Sequence, residues 1–213
     1  MTIKKRELMN DEVFKNELPL MEQFYTLQGE GCYSGRPAVF IRLGGCDVGC
    51  VWCDVKESWD EKAHPLVSIN TIVDDVLKTE CKFVVITGGE PTMYNLSFLT
   101  TALKTYGLEV AIETSGVNPL RGEFSWVTFS PKKFKKPLED YYQFSDELKV
   151  VVNHSSDLEW AKKHAVKMKS NCHFYLQPEW SKKDELMPQI LEFIKINPKW
   201  KLSLQIHKFI NIP

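Results

Sequence analysis

Short apolar runs alternate with helical patterns through most of this chain, and nearly every run ends in residues that carry chemistry. Residues 83–87 end in Gly88-Gly89-Glu90-Pro91, residues 109–113 in Thr114-Ser115-Gly116, residues 126–129 in Ser130-Pro131-Lys132, and residues 173–176 in Gln177-Pro178-Glu179. Residues 38–43 form another run, ending in Gly44-Gly45, and residues 147–152 a further one. Between runs, Ile69, Ile72, Val73, Val76 and Leu77 keep the i, i+3, i+4, i+7, i+8 spacing of an amphipathic helix, with Ser68 placed to cap it. Further helices are expected at about 96–106, from the end of the 147–152 run to about 167, and at 184–196. Strands this uniformly apolar, separated by helices, call for a parallel sheet covered by helices. In a parallel barrel the C-terminal strand ends share one face, where active sites form. A closed eight-unit barrel usually needs ~250 residues, so a chain of 213 with about six or seven strands predicts an α/β fold that is a partial, open TIM-like barrel.

One domain is expected, spanning 21–213, preceded by a polar extension over 1–20 that Pro19 brings to a stop. No internal repeat or linker interrupts it. A formal charge of -1 gives no basic face for nucleic acid. The charged first ten residues lack an apolar signal core, and no stretch of ~18 apolar residues suggests a membrane span, so the expected compartment is the cytoplasm. There, the six cysteines read as metal ligands or buried thiols rather than disulfides. Cys32, Cys81 and Cys172 are expected in the core.

Cys46, Cys50 and Cys53 follow the 38–43 run at the spacing C-x-x-x-C-x-x-C. Three thiolates on one loop make a metal site: zinc wants a fourth ligand or a reactive water, whereas an iron-sulfur cluster held by three cysteines keeps one iron free. Cys32 and His64 are the nearest fourth ligands for zinc, and neither has the short paired spacing of structural zinc sites. A zinc or electron-transfer module is the non-enzymatic alternative. Elsewhere, Gln28-Gly29-Glu30-Gly31 permits close backbone approach to a ligand or makes an ordinary turn. Arg42, inside an apolar strand, either meets a carboxylate or anchors an anionic ligand group. Residues 132–136 read as a solvated lysine loop, with Lys132 set apart by its place at a strand end, and His207 is the one histidine on the expected active face.

The cysteine loop together with Thr87-Gly88-Gly89-Glu90-Pro91 resembles the radical S-adenosylmethionine enzymes. The segments Phe24 to Gly31, Gly35 to Arg42, Ile112 to Gly116, Ser130-Pro131-Lys132, Leu176-Gln177-Pro178 and Leu202 to Lys208 resemble, within that superfamily, the 7-carboxy-7-deazaguanine synthase family. The resemblance runs from about Glu22 to Pro213. It implies a 4Fe-4S cluster on Cys46, Cys50 and Cys53, with the open iron chelated by S-adenosylmethionine, which one electron cleaves to methionine and a 5'-deoxyadenosyl radical. Beyond cluster and radical it implies no separate catalytic residue. Cofactor contacts are implied for Trp52, Asp54, Gly89, Glu90, Ser115, Ser130, Lys132 and Gln177, with the Glu90 carboxylate favouring the cofactor's ammonium-like donor. The implied substrate, a carboxylated tetrahydropterin, would sit on Leu27, Gln28 and Gly29 with Glu30 nearby, its carboxylate facing Arg42, and Thr87, His207 and the chain-end carboxylate of Pro213 completing the pocket. The implied reaction is a ring contraction to a deazapurine on the route to queuosine in tRNA. A homodimer and a small flavodoxin-like electron donor are also implied. Many members carry Thr after the Cys-Asp pair, linked with a magnesium ion; here the residue is Val55, which cannot ligate a metal, so magnesium stays an open expectation. A glycyl-radical activating enzyme shares the cysteine spacing but leaves Arg42 and the expected final strand over 201–208, which carries His207 at its end, unexplained.

Overall fold

A computed structural model describes residues 17–213. Its frame is a nine-stranded sheet in the order β3-β1-β2-β4-β5-β6-β7-β8-β9. The strands are β1 (Glu17–Leu27), β2 (Pro37–Leu43), β3 (Leu66–Ser68), β4 (Phe83–Gly88), β5 (Glu109–Thr114), β6 (Trp126–Phe129), β7 (Glu147–Val152), β8 (His173–Pro178) and β9 (Trp200–Leu202). From β2 to β9 every pairing is parallel, whereas β1 runs antiparallel to both β2 and β3. The sheet curls but does not close. Where the missing pairing would lie, Ile206 N donates to Gly29 O at 3.0 Å and Gly31 N to Ser203 Oγ at 3.0 Å.

The apolar runs form strands because both of their faces are covered. In β4, Val84, Val85 and Ile86 are fully buried, and each such side chain contributes about 1.5–3 kcal/mol relative to exposure. Helix α1 (Ile69–Leu77) buries Ile69, Ile72, Val73 and Val76, and the Ser68 side chain caps it by accepting from Thr71 N. Helices α2 (Ser97–Thr105), α3 (Tyr141–Phe144), α4 (Ser156–Ala165), α5 (Lys183–Ile196) and α6 (Ile206–Ile210) follow. The open-barrel expectation therefore holds.

Three details differ from the sequence reading. Strand β1 starts at Glu17, so residues 17–20 belong to the sheet rather than to an extension; Pro19 sits in β1, and its carbonyl accepts from Gly44 N at 2.8 Å. Residues 1–16 of the expected extension lie outside the described residues. The final segment is not one strand: β9 stops at Leu202, the chain turns through Ser203, and His207 lies in α6. The turn is fixed by Ser203 N bonding Leu176 O at 2.9 Å and by Ile206 N reaching Gly29 O. Finally, only Cys81 of the three presumed core thiols is fully buried, Cys32 and Cys172 being half-buried.

Candidate active site

The C-terminal ends of the parallel strands surround a cavity of about 320 Å³. Cys46, Cys50 and Cys53 all line it, on the loop that leaves β2. That loop is stitched to its surroundings by backbone bonds: Gly45 N to Ser58 O at 2.7 Å, Cys46 N to Trp59 O at 3.1 Å and Glu90 N to Gly45 O at 2.8 Å. Glycine is required where β4 meets this loop, since a Cβ on Gly89 would lie 2.2 Å from Gly45 O and 2.7 Å from the Cys46 Cβ. The three thiols on a pinned loop at the mouth of the cavity fit a three-cysteine cluster that leaves one iron open to the interior.

Along the wall, Glu90 is 1% exposed. One of its oxygens accepts from Thr92 N (3.1 Å), Thr92 Oγ1 (2.5 Å) and Thr114 Oγ1 (2.6 Å). The other accepts from Ser115 N (2.8 Å) and Ser115 Oγ (2.5 Å). This carboxylate clasps the ends of β4 and β5 together, which differs from the expectation that it meets an ammonium group directly: five protein donors already occupy it. Lys132 turns back to Ser130, with Nζ 2.5 Å from the carbonyl and 2.6 Å from the hydroxyl. Its pKa is lowered, chiefly by burial. Gln177 accepts from Ser203 Oγ at 2.8 Å. The rest of the lysine loop is solvated as expected, with Lys133 paired to Asp157, Lys135 to Asp47, and Phe134 against Trp52.

The floor holds groups that the sequence reading did not single out. Lys149, in β7, donates to Glu30 Oε2 at 2.5 Å and to Glu113 Oε2 at 2.8 Å. Gln28 Nε2 donates to Glu113 Oε1 and Gln205 Nε2 to Glu30 Oε1, both at 3.0 Å. Burial alone would raise the pKa of Glu30, but the charge and hydrogen bond of Lys149 and the bond from Gln205 outweigh it and hold the carboxyl below its usual range. Burial likewise works against a charged Lys149, and the carboxylates of Glu113, Glu30 and Glu147 reverse the effect, so its pKa is raised. The visible signal was a charged residue inside each of two buried strands, the same argument that drew attention to Arg42.

Beneath them Glu147, 2% exposed, accepts from Cys32 N at 3.0 Å. Burial pushes its pKa from 4.5 up to about 7. A carboxyl raised in the folded state keeps a proton that the unfolded chain releases, so its contribution to stability is full below about pH 4.5 and is lost as pH rises to about 7. Glu147→Gln is expected to remove that loss. Its stability relative to the parent, measured by urea unfolding at pH 5 and pH 8, should improve by up to roughly 3 kcal/mol at the higher pH. A difference independent of pH would assign the carboxyl no such role.

Of the other anticipated substrate contacts, Gln28, Gly29, Glu30, Arg42, Thr87, His207 and Pro213 line the cavity, and Leu27 does not. Leu27 is 37% exposed, because it closes the β1 ladder opposite Pro37. A Cβ on Gly29 would lie 2.2 Å from His207 Nδ1, so the glycine lets the imidazole pack against the loop. The pKa of His207 is lowered, chiefly by burial. Pro213 O accepts from Thr26 Oγ1 at 3.2 Å, which brings the last residue back to β1. Arg42 is paired through Nε to Glu22 Oε1 at 2.6 Å, and among the described residues its two Nη groups have no partner.

Position 55 offers a metal nothing. Val55 lines the cavity without a side-chain oxygen, and its carbonyl is taken by Ser58 Oγ at 2.7 Å; Oδ2 of the adjacent Asp54 is taken by Lys208 Nζ at 2.5 Å and Gln205 Nε2 at 3.0 Å. Among the described residues no three His, Cys, Asp or Glu side chains gather into a preformed metal site, the three loop cysteines included. The residues present do not fit a magnesium site, since that ion wants several oxygen ligands in near-octahedral order.

The radical SAM superfamily model matches residues 40–136, which include the cysteine loop and the β4, β5 and β6 ends. A 7-carboxy-7-deazaguanine synthase of Flavobacterium psychrophilum is 49% identical, over 92% of this chain and 93% of that protein. One from Synechocystis is 42% identical, over 94% and 96%. The crystal structure of QueE from Escherichia coli superposes with a TM-score of 0.82 at 32% identity, covering 93% of this chain and 98% of that one. With the fold, the three-cysteine loop and relatives matched over nearly their whole length in agreement, the chain belongs to the 7-carboxy-7-deazaguanine synthase family of radical SAM enzymes.

Proposed function

We propose that the chain converts 6-carboxy-5,6,7,8-tetrahydropterin into 7-carboxy-7-deazaguanine with loss of ammonia, a ring contraction that supplies the precursor of queuosine in tRNA. The observation that carries this reading is one cavity that combines the three-cysteine loop with a floor of paired carboxylates and the unpartnered fork of Arg42. Cys46, Cys50 and Cys53 would hold the 4Fe-4S cluster, which together with S-adenosylmethionine would supply one-electron radical chemistry. Trp52, Gly89, Ser115, Ser130, Lys132 and Gln177 shape the cofactor's side of the cavity, with the clasp made by Glu90 holding the ends of β4 and β5 together. Glu30, Gln28 and the backbone at Gly29 take the donor-rich edge of the heterocycle, and the Arg42 fork takes its carboxylate. Thr87, His207 and Pro213 close the remaining sides and exclude water, leaving the difficult chemistry to the cofactor.

A small flavodoxin-like protein delivers the electron, and the enzyme works as a homodimer in the cytoplasm. The cytoplasmic assignment is supported by six free cysteines and by the requirement of the cluster for reducing conditions. Substrate binding in this chain proceeds without a protein-held magnesium ion, since Val55 and the occupied Asp54 provide no ligands.

The test is turnover by anaerobically reconstituted protein given reductant, S-adenosylmethionine and the carboxylated tetrahydropterin, with product identified by mass. Formation of the deazapurine supports the substrate assignment, and cofactor cleavage without that product rejects it. A parallel reaction with a chelator should run at the same rate; a strong stimulation by added magnesium would show that the ion binds through groups other than those named.

A further inference from the structure

The cavity floor contains one buried cation between two carboxylates that come from different parts of the chain. We propose that Lys149 is a positioning residue for substrate recognition: it binds Glu30 and Glu113 at once and holds them side by side, so that together they accept hydrogen bonds from the N–H groups along one edge of the heterocycle. This rests on the pterin reading of the cavity.

The geometry is specific. Lys149 belongs to β7, Glu113 to β5 and Glu30 to the loop after β1. Strand β6 lies between β5 and β7, and its Thr128 stands in register with Glu113 on one side and Glu147 on the other. A short side chain at Thr128 leaves room for the Lys149 stem to reach over β6 to Glu113 at 2.8 Å while also meeting Glu30 at 2.5 Å. Lys149 is 3% exposed, and a lysine that deep is retained only when its charge is paired.

Each carboxylate oxygen on the floor has one protein donor in place. Lys149 and Gln205 serve the two oxygens of Glu30, and Lys149 and Gln28 serve those of Glu113. A carboxylate has about four lone-pair sites, so both groups keep acceptor capacity toward the cavity that they line. One lysine against two carboxylates leaves the floor net negative, which favours a ligand edge made of polarised N–H groups. The third nearby carboxyl, Glu147, accepts from Cys32 N at 3.0 Å, and the lysine's two hydrogen bonds go to Glu30 and Glu113. The other charged or titratable groups that line the cavity are Arg42 in β2, Cys46, Cys50, Cys53 and Asp54 after β2, Glu90 after β4, Lys132 after β6, Glu179 after β8, His207 and Lys208 in α6, and the chain end at Pro213. Of these, Arg42, Lys132, Asp54 and Lys208 are bonded to partners of their own. None bridges the two floor carboxylates, so the role falls to Lys149.

The reconstituted holoprotein tests this through Lys149→Met. The variant should keep the cluster absorbance and should raise KM for the carboxylated tetrahydropterin by about 100-fold with little change in kcat. Without the lysine, the burial that it offsets at Glu30 raises that carboxyl's pKa, so the acid limb of the kcat/KM profile should move to higher pH. Lys149→Arg, which keeps the charge, should leave that limb in place. The double variant Lys149→Met/Glu113→Gln removes one of the two carboxylates that lose their cation and should regain part of the thermal stability while KM stays high.

An unmoved acid limb with parent-like KM in Lys149→Met overturns the proposal. So does recovery of KM together with stability in the double variant, which would make Lys149 a structural tie between strands. Should Lys149→Met fail to fold, the double variant and Lys149→Arg decide by the same two readouts. A parent enzyme that forms no deazapurine would instead reject the substrate reading, so the two failures are distinguishable.

Discussion

Gly89→Ala is expected to cost at least about 100-fold in S-adenosylmethionine cleavage and to lower the iron retained after reconstitution. The added methyl carbon would sit 2.2 Å from Gly45 O and 2.7 Å from the Cys46 Cβ. Neither neighbour is the free end of a flexible side chain: one is backbone and the other the root of a cluster ligand. Relief therefore requires the cysteine loop to move by an appreciable fraction of an ångström to about 1 Å, and a misplacement of about 1 Å is enough for a loss of about 100-fold when reacting groups must be aligned. The bonds from Gly89 N to Leu43 O (3.1 Å) and Glu90 N to Gly45 O (2.8 Å) would be stretched by the same movement. Gly49→Ala is the control, on the same loop and with a positive φ of 69°. Nothing lies within 4 Å of a Cβ there, so it should pay only the left-handed strain of about 1–2 kcal/mol and still assemble the cluster. Iron content and visible absorbance separate the two variants. If Gly89→Ala retains both iron and cleavage, close approach of the strand end is not what seats the loop.

The parts of this fold legible in the sequence were those in which burial is uniform. Residues 83–86 are apolar on both faces because a central parallel strand covered on both sides needs no polar face. Ser68 announced α1 because a capping side chain acts over three residues of chain. The cluster loop and the strand ends were legible for a related reason: their chemistry lies in short contiguous motifs. What could not be read was set by distant parts of the chain. The Glu30–Lys149–Glu113 floor joins a loop, β7 and β5, and no spacing rule connects those positions. His207 was expected at a strand end because residues 202–206 alternate Leu, Ser, Leu, Gln and Ile like a strand. The ladder stops at Leu202, where the Ser203 side chain is drawn to Gln177 and Gly31 instead. Glu90 sits in the motif where it was expected, but the hydroxyls of Thr92, Thr114 and Ser115 take up its charge. That competition is visible only when the ends of β4 and β5 are side by side.

Arg42→Ala is expected to lower kcat/KM for the carboxylated tetrahydropterin by about 100-fold, mostly through KM, while leaving the cluster absorbance intact. Its guanidinium is bonded to Glu22 through Nε alone, at 2.6 Å, and the unpartnered Nη edge belongs to a residue that lines the cavity. Charge-assisted bonds of that kind contribute about 1.5–3 kcal/mol each, and each 1.4 kcal/mol is tenfold, so losing a fork that grips a carboxylate accounts for a change of about 100-fold. The structural share is smaller. Glu22 is 44% exposed in this pair, and an ion pair open to solvent on one side contributes about 0–1 kcal/mol. For a chain of this length that is a fall of about 2–4 °C in Tm. Arg42→Lys discriminates further, because an ammonium keeps the charge but not the planar fork; it should recover part of the loss in KM and fall short of the parent. If KM is unchanged in Arg42→Ala and Tm falls by much more than these few degrees, the arginine serves the β1–β2 pair and the substrate carboxylate is held elsewhere.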